Sequence, residues 1–141
     1  MIELNHEIEI EASPDEVYEA LVTQVGLRRW WTADSTAEPK EGSIATFGFG
    51  KRSTVFRMRV DELDPGKSVR WTCVGESPEW TNTRLAWTIS TQDGATRLHL
   101  THADPQGTSS SCASRNSTWG ELMYRLKSYA EGKNPGPHWV E

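Results

Sequence analysis

Five short segments of alternating apolar and polar residues follow one another in the middle of the chain, and turn signals separate them. Alternation with a period of two places the apolar side chains on one face of a β-strand. The segments lie at residues 43–49, 53–63, 68–74, 83–91 and 95–103. The sequence Asp64-Pro65-Gly66-Lys67 fits a type II turn, and Asp93-Gly94 is typical of a tight hairpin. We therefore expect an antiparallel meander.

A sixth strand and a helix are predicted before this meander. Residues 2–10 alternate without interruption, which is typical of a half-buried strand. Ser13 is a typical N-cap, Pro14 suits the first position of a helix, and Glu16 stands where it can close a capping box. A helix therefore begins at this point of the chain.

Two further segments have the spacing of an α-helix. Leu27, Trp30 and Trp31 follow the break at Gly26 and predict a second short helix. Residues 32–42 have no periodicity, so we expect a loop there. The last segment is a long helix that ends near Gly132, and its predicted apolar face consists of Cys112, Trp119, Leu122, Met123, Leu126, Tyr129 and Ala130.

This order of elements predicts an α+β fold in which one sheet carries one long helix. A curved six-stranded antiparallel sheet holds a long C-terminal helix, and two short helices follow the first strand. The chain has 141 residues, the size of one ordinary domain. We therefore assign residues 1–141 to a single domain whose C-terminal tail begins at about residue 133. Hydrophobic residues make up only 35% of the chain, and seven tryptophans supply large apolar surfaces for its core.

Composition argues against several classes of function. The formal net charge of -5 and the lack of a basic stripe argue against nucleic-acid binding, which depends on neutralising phosphates. No apolar run approaches the roughly 20 residues of a membrane span, and the first residues lack the features of a secretion signal. Two cysteines, Cys73 and Cys112, fit a reducing compartment. We therefore expect a cytoplasmic protein.

The alternation also predicts which side chains face the long helix. A curved sheet that grips one helix commonly leaves space between the two layers, and aromatic walls would make that space a pocket for a small molecule. The side chains predicted to line it are Phe56, Met58, Trp71, Trp87, Trp119 and Met123, with Trp31 at the mouth and His6 or His102 as a polar contact. A hydrophobic or aromatic molecule is the predicted ligand. The alternative is a gap that these rings fill as ordinary core.

The histidines have a structural and a functional interpretation. His6 and His102 lie on the apolar faces of their strands, where they are either hydrogen-bonded core residues or a polar anchor in the pocket. Asp104 shares the strand face of His102 and could orient its imidazole. His99 and His102 are three residues apart on a strand, so they point to opposite faces and cannot bind one metal ion. We predict no metal and no cofactor.

Other reactive side chains have simpler interpretations. No catalytic residue is predicted, because no serine, histidine and carboxylate occur in the context of a nucleophile. Cys73 is interpreted as a small buried side chain that fills space in the core. The loop with Glu76, Glu79 and Trp80 either rims the cavity or is a solvated turn. Exposure of Trp80 and Trp139 would indicate a homodimer contact.

Three stretches of the chain carry a family resemblance. The first consists of Ile10-Glu11-Ala12-Ser13-Pro14-Asp15-Glu16-Val17-Tyr18-Glu19-Ala20-Leu21, followed by Leu27-x-x-Trp30-Trp31. Gly94–His102 and Trp119–Gly132 are the others. They resemble the opening, the last hairpin and the terminal helix of the START-like helix-grip superfamily, specifically of homologues of the heat-shock-protein-ninety ATPase activator. The resemblance implies six strands around a long helix, with a cavity that in relatives takes lipids, polyketides or other hydrophobic molecules.

The resemblance also implies two alternatives to a ligand-binding protein. One is an enzyme of the cyclase or dehydratase type, for which His6, His102 or Asp104 would have to face the gap. The other is a module that interacts with a chaperone, for which we expect a large exposed apolar patch.

Overall fold

The described residues form one antiparallel sheet and three helices. The computed structural model describes residues 2–75, 81–104 and 109–140, and for residues 109–114 it describes the backbone alone. The elements are β1 (Ile2–Ile10), α1 (Pro14–Val22), α2 (Gln24–Trp30), β2 (Asp34–Thr36), β3 (Ile44–Phe49), β4 (Thr54–Asp64), β5 (Ser68–Val74), β6 (Arg84–Gln92), β7 (Ala95–Asp104) and α3 (Ser109–Ala130). The strand order in the sheet is β1-β7-β6-β5-β4-β3-β2. The predicted α+β class, with a C-terminal helix against an antiparallel sheet, is confirmed.

The sheet in the described part of the chain has seven strands, so the prediction of six is wrong in number. The additional strand, β2, lies inside residues 32–42, for which the sequence predicted a loop, and pairs with β3. Three residues are too few to show a period of two. Contacts with distant residues hold the strand, since Arg28 Nε donates to the Ser35 carbonyl at 2.7 Å and Arg52 Nη2 lies 2.8 Å from Asp34 Oδ1.

The two short helices begin and end at short-range signals. Ser13 Oγ accepts a hydrogen bond from the Glu16 N–H at 3.1 Å, and Glu16 Oε1 accepts one from the Ser13 N–H at 3.3 Å, which closes the predicted capping box of α1. Thr23 separates α1 from α2 and caps the latter, its Oγ1 accepting from the Gly26 N–H at 3.0 Å. A Cβ atom at Gly26 would lie 2.9 Å from the Ala20 Cα, so the close packing of the two helices requires glycine.

Helix α3 lies on the inner face of the sheet, and polar contacts at its C-terminal end attach it to β1. Lys127 Nζ donates to the Glu9 carbonyl at 3.0 Å, and Glu131 Oε2 accepts from the Glu11 N–H at 2.8 Å. The outer face of the sheet is solvated, and the exposed arginines on β4, β5 and β6 are Arg57, Arg59, Arg70 and Arg84. None of the helices in the described ranges is long and apolar enough to cross a membrane.

Candidate functional site

Aromatic rings fill the gap between the sheet and α3. Six of them are at most 2% exposed: Trp30, Trp31, Phe47, Trp71, Trp87 and Trp119. Trp31 stacks on Phe47 with ring centroids 4.4 Å apart and lies 5.4 Å from Trp119. Trp87 contacts Trp71 and Trp119 edge-on at 5.8 and 5.6 Å. Stacked and edge-to-face rings at these distances make a closely packed core.

Little space remains inside this cluster. A residual cavity of about 10 Å³ lies between the short helices and the sheet, beside Trp71 and Leu27. A void of this size holds one water molecule at most. Met58 and Met123 are 0% and 3% exposed and belong to the same core. Within the described residues, the interior of the helix grip therefore consists of packed side chains.

An open apolar cleft of about 240 Å³ lies where this core reaches the surface. Its lining consists of Trp31, Phe49, Thr54, Phe56, Thr118, Leu122 and Trp139. The end of β3, the start of β4, the C-cap of α2, α3 and the C-terminal segment each contribute to it. Phe49 lies 5.0 Å from Phe56 and 4.7 Å from Trp139 between ring centroids, so three aromatic rings form a continuous wall. This apolar cleft is the candidate functional site.

The β3–β4 hairpin forms one end of the apolar cleft. Its turn has positive φ angles at Gly50, Lys51 and Arg52, of 56°, 56° and 66°. Positive φ is unfavourable for the two non-glycine residues, and contacts from elsewhere must hold it. The ion pair of Arg52 with Asp34 supplies such a contact. The tight turn holds Phe49 and Phe56 at the end of the sheet, where their rings contact both the core and the cleft.

The chain after α3 folds back and contributes Trp139 to the wall of the apolar cleft. We call residues 133–140 the C-terminal strap. The Trp139 N–H donates to the Trp31 carbonyl at 3.1 Å, and the Ala33 N–H donates to the Trp139 carbonyl at 2.9 Å. Arg125 Nη1 donates to the carbonyls of Pro135 and Gly136 at 3.3 and 2.9 Å. The segment that the sequence predicted to be a tail is therefore attached to α2, β2 and α3.

His102 lies in a buried polar cluster behind the apolar cleft. Its Nδ1 accepts from Trp119 Nε1 at 3.0 Å, and its Nε2 lies 3.0 Å from Thr83 Oγ1. Because an indole N–H can only donate, Nδ1 carries no proton and the proton of the neutral ring is on Nε2, which donates to Thr83. Burial, together with the charge of Arg115, lowers the pKa of His102 to about 3, although Asp104 opposes the shift. His102 is therefore neutral at physiological pH.

Asp104 contacts Arg115 in the same region. Arg115 Nη2 lies 2.7 Å from Asp104 Oδ2, and both residues are buried. A buried carboxylate of this kind requires such a partner. The tautomer of His102 is set by Trp119 and Thr83, so the expected orienting role of Asp104 belongs to those two residues.

His6 and His99 lie on opposite faces of the β1–β7 pair. In the register of these strands Leu4 pairs with His102 and His6 with Leu100, so His6 and His102 are diagonal neighbours on the inner face. Burial has the largest effect on the pKa of His6 and lowers it. A hydrogen bond with Asn116 raises this pKa, and the nearby His99 lowers it further. His99 is on the outer face, where its Nε2 lies 2.9 Å from Asn5 Oδ1. No group of three or more His, Cys, Asp or Glu side chains suited to a metal ion occurs in the described part of the chain.

The structure divides the predicted lining residues into two groups. Trp31 and Phe56 line the apolar cleft. The others lie in the core or on the inner face of β1 and β7: Met58, Trp71, Trp87, Trp119, Met123, His6 and His102. The sequence reasoning placed Phe49 and Leu122 on inward faces without assigning them to the site, and it missed Trp139, whose only signal was an aromatic residue in a tail.

Several smaller expectations concern cysteines and the loop after β5. Cys73 is buried, and burial raises the pKa of its thiol to about 11, as expected of a side chain that fills space. Trp139 is half-buried against the cleft. Glu76, Glu79, Trp80 and the side chain of Cys112 lie outside the described residues.

Solved structures of other proteins share this fold. The Aha1 dimer from Colwellia psychrerythraea is 32% identical, with a TM-score of 0.85 over 94% of this chain and 98% of that chain. DynU16, a putative protein in the dynemicin biosynthetic locus, is 25% identical with a TM-score of 0.82, and the match covers 97% of this chain and 50% of that one. Protein MLL2253 from Mesorhizobium loti is 14% identical with a TM-score of 0.77 over 90% and 95% of the two chains, which shows a common fold alone.

The sequence itself matches a family model over residues 11–131. No curated protein matches the chain. The matched range begins just before α1 and ends just after α3, so it includes the sheet strands β2 to β7 and every residue that lines the apolar cleft except Trp139. The resemblance read from the sequence is confirmed: the chain belongs to the family of activator of Hsp90 ATPase homolog 1-like proteins, within the START-like superfamily.

Proposed function

We propose that this protein binds a small aromatic or otherwise apolar molecule in the apolar cleft. The observation that carries the proposal is an open space of about 240 Å³ whose walls include four aromatic rings and Leu122. An apolar protein cavity of roughly 150 Å³ is enough to bind benzene. The apolar cleft therefore has room for a molecule of about two fused rings.

The chemistry of the lining, not its size, distinguishes this site from other surface depressions. A larger one, of about 530 Å³, is lined by Glu9, Glu11, Asp93 and Lys127 among others. Another, of about 340 Å³, is lined by Arg59, Asp61, Arg70 and Arg84 together with Trp71 and smaller side chains. The described lining of the apolar cleft has no ionisable side chain, and its polar side-chain groups are the hydroxyls of Thr54 and Thr118 and the indole N–H groups of Trp31 and Trp139. An uncharged ligand is favoured, because a buried charge without a partner is costly.

The expected affinity is modest. Burial of roughly 200 Å² of apolar ligand surface contributes about 5 kcal/mol at 25 cal/mol per Å². That free energy corresponds to a dissociation constant of about 0.2 mM, and tighter binding requires a good fit to the aromatic walls. Membership of a superfamily with many hydrophobic-ligand binders supports the proposal, as does likeness to DynU16, a protein from a biosynthetic locus.

Binding is favoured over catalysis by the position of the titratable groups. Proton transfer needs an acid or base within reach of the substrate. His102 is neutral, with Trp119 and Thr83 on its two nitrogens, and is absent from the lining of the apolar cleft. The described residues bring no titratable side chain to the apolar cleft, so a cyclase or dehydratase mechanism would need an acid or base from elsewhere.

Titration with 2-naphthol tests the proposal, with tryptophan fluorescence and calorimetry as readouts. The variant Phe56→Ala removes one wall and should weaken binding about tenfold, which is the effect of roughly 1.4 kcal/mol. Tyr124→Ala removes an aromatic ring that is 68% exposed on α3 and outside the cleft, so it should leave the affinity unchanged. If naphthol and a panel of other uncharged aromatic compounds do not bind up to their solubility limits, the proposal is refuted.

A second candidate function is regulation of a chaperone ATPase. The family description and the match to the Aha1 dimer favour it. The same match supports testing whether this chain forms a homodimer. If the protein regulates a chaperone ATPase, the full chain added in excess to an Hsp90-type chaperone should increase the rate at which the chaperone hydrolyses ATP. An unchanged rate, together with no complex in sedimentation velocity, would exclude this function.

A further inference from the structure

The C-terminal strap contributes to the cleft wall without belonging to a helix or a long strand. Gly132, with a φ of 89°, reverses the chain just after α3, and residues 133–140 contain no helix and no strand longer than one bridge. That bridge pairs Thr32 with Trp139. Segments with few backbone hydrogen bonds open locally at a lower free energy than core strands and helices do.

In the described part of the chain, two side chains of α3 contact the strap. At one end Arg125 donates to the carbonyls of Pro135 and Gly136. Near the other end His138 Nδ1 lies 3.1 Å from Glu121 Oε1, and the His138 ring contacts Trp139 edge-on at 4.2 Å. Arg125 and Glu121 lie one turn apart on α3, so one stretch of this helix holds the strap together with the backbone hydrogen bonds of Trp139 to Trp31 and Ala33.

Trp139 is the side chain through which the strap contacts the apolar cleft. Its ring meets Phe49 edge-on at 4.7 Å and extends the wall that Phe49 and Phe56 form. The other apolar walls belong to strands, to α3 or to the buried Trp31, and cannot move without disturbing the core. Trp139 packs against the core from a segment that has neither a helix nor a long strand, so the space available to a ligand depends in part on how that segment is held.

We propose that the C-terminal strap sets the upper size limit of the ligand and that Trp139 is the specificity-determining residue of the apolar cleft, an inference that rests on the proposed function. With the strap in place the cleft admits an uncharged molecule of about two fused rings. Removal of the Trp139 ring opens the cleft toward solvent and lets a longer planar molecule lie across Phe49 and Trp31.

The test compares two probes, 2-naphthol with two rings and 1-pyrenemethanol with four, against matched variants. In Trp139→Ala the affinity for 1-pyrenemethanol should rise at least tenfold, while that for 2-naphthol falls about threefold because one wall is lost. Arg125→Gln removes the guanidinium that holds the strap and should shift the ratio of the two affinities in the same direction. Trp139→Phe keeps a ring and should retain the wild-type preference, and Tyr124→Ala serves as the control.

Amide hydrogen exchange supplies a readout that needs no ligand. The Ala33 N–H is bonded to the Trp139 carbonyl, so it should exchange at least tenfold faster in Arg125→Gln than in the wild type. If 2-naphthol binds but the ratio of affinities is the same in wild type and Trp139→Ala, the role of the strap is refuted and the proposed function stands. If neither probe binds any of the variants or the wild type, the proposed function fails and this inference fails with it.

Discussion

Acid should destabilise this protein through His102. The native imidazole has a pKa of about 3, whereas the ordinary value, expected in the unfolded chain, is 6.5. Between these values the unfolded chain binds more protons than the native protein, so the free energy of unfolding falls as the pH drops below about 6.5. At pH 5 native His102 is still neutral. Protonation of the unfolded imidazole then lowers the free energy of unfolding by about 2 kcal/mol relative to pH 8.

Urea denaturation of wild type and His102→Gln at pH 8 and pH 5 measures this contribution. The wild type should lose about 2 kcal/mol more than the variant over the interval, because glutamine does not titrate. Gln92→Ala is the control: it changes an exposed side chain of β6 that does not titrate and should keep the wild-type dependence on pH. Equal losses in wild type and His102→Gln would refute the reasoning that His102 is buried in its neutral form.

Three further predictions concern packing and helix ends, each measured by urea denaturation. Trp119→Phe removes the indole N–H that donates a hydrogen bond to His102 and leaves a small void. It should therefore lower the free energy of unfolding by about 2–4 kcal/mol. Gly26→Ala brings a Cβ atom to 2.9 Å from the Ala20 Cα and should cost about 1–3 kcal/mol. Ser13→Ala removes the N-cap of α1 and should cost about 1 kcal/mol.

Matched variants test whether each loss of stability comes from the stated contact rather than from the substitution in general. Trp119→Phe combined with His102→Leu should cost less than the sum of the single changes, and strict additivity would contradict the hydrogen bond. Gly120→Ala lies in α3 with open space around the added carbon and should be neutral or stabilising, unlike Gly26→Ala. Ser90→Ala changes an exposed serine in β6, and a loss as large as that of Ser13→Ala would contradict the role of the cap.

Much of the fold is predictable because its signals are short-range. The capping box at Ser13 and Glu16, the break at Gly26 and the alternation along each long strand all act within a few residues. β2 escapes this kind of reasoning because its three residues pair with β3 and are held by the side chains of Arg28 and Arg52, which no local pattern shows.

The candidate site is predictable only in part. Alternation and helical spacing predict correctly that Trp31 and Phe56 lie on the inner side of the sheet, and both line the apolar cleft. Trp71, Trp87 and Trp119 carry the same signal, yet their rings pack against one another. A pattern of apolar positions specifies a facing direction, and whether rings meet or leave space depends on rotamers and on the distance between helix and sheet.

The sequence by itself determined the order and kind of the long elements, the face that each turns inward and the family to which the chain belongs. Only the tertiary structure decided that indole rings fill the interior, that His102 donates from Nε2 and that Trp139 returns to close the apolar cleft. These features arise where residues far apart in the chain meet. The free energy of such contacts depends on distances and angles that no local pattern encodes.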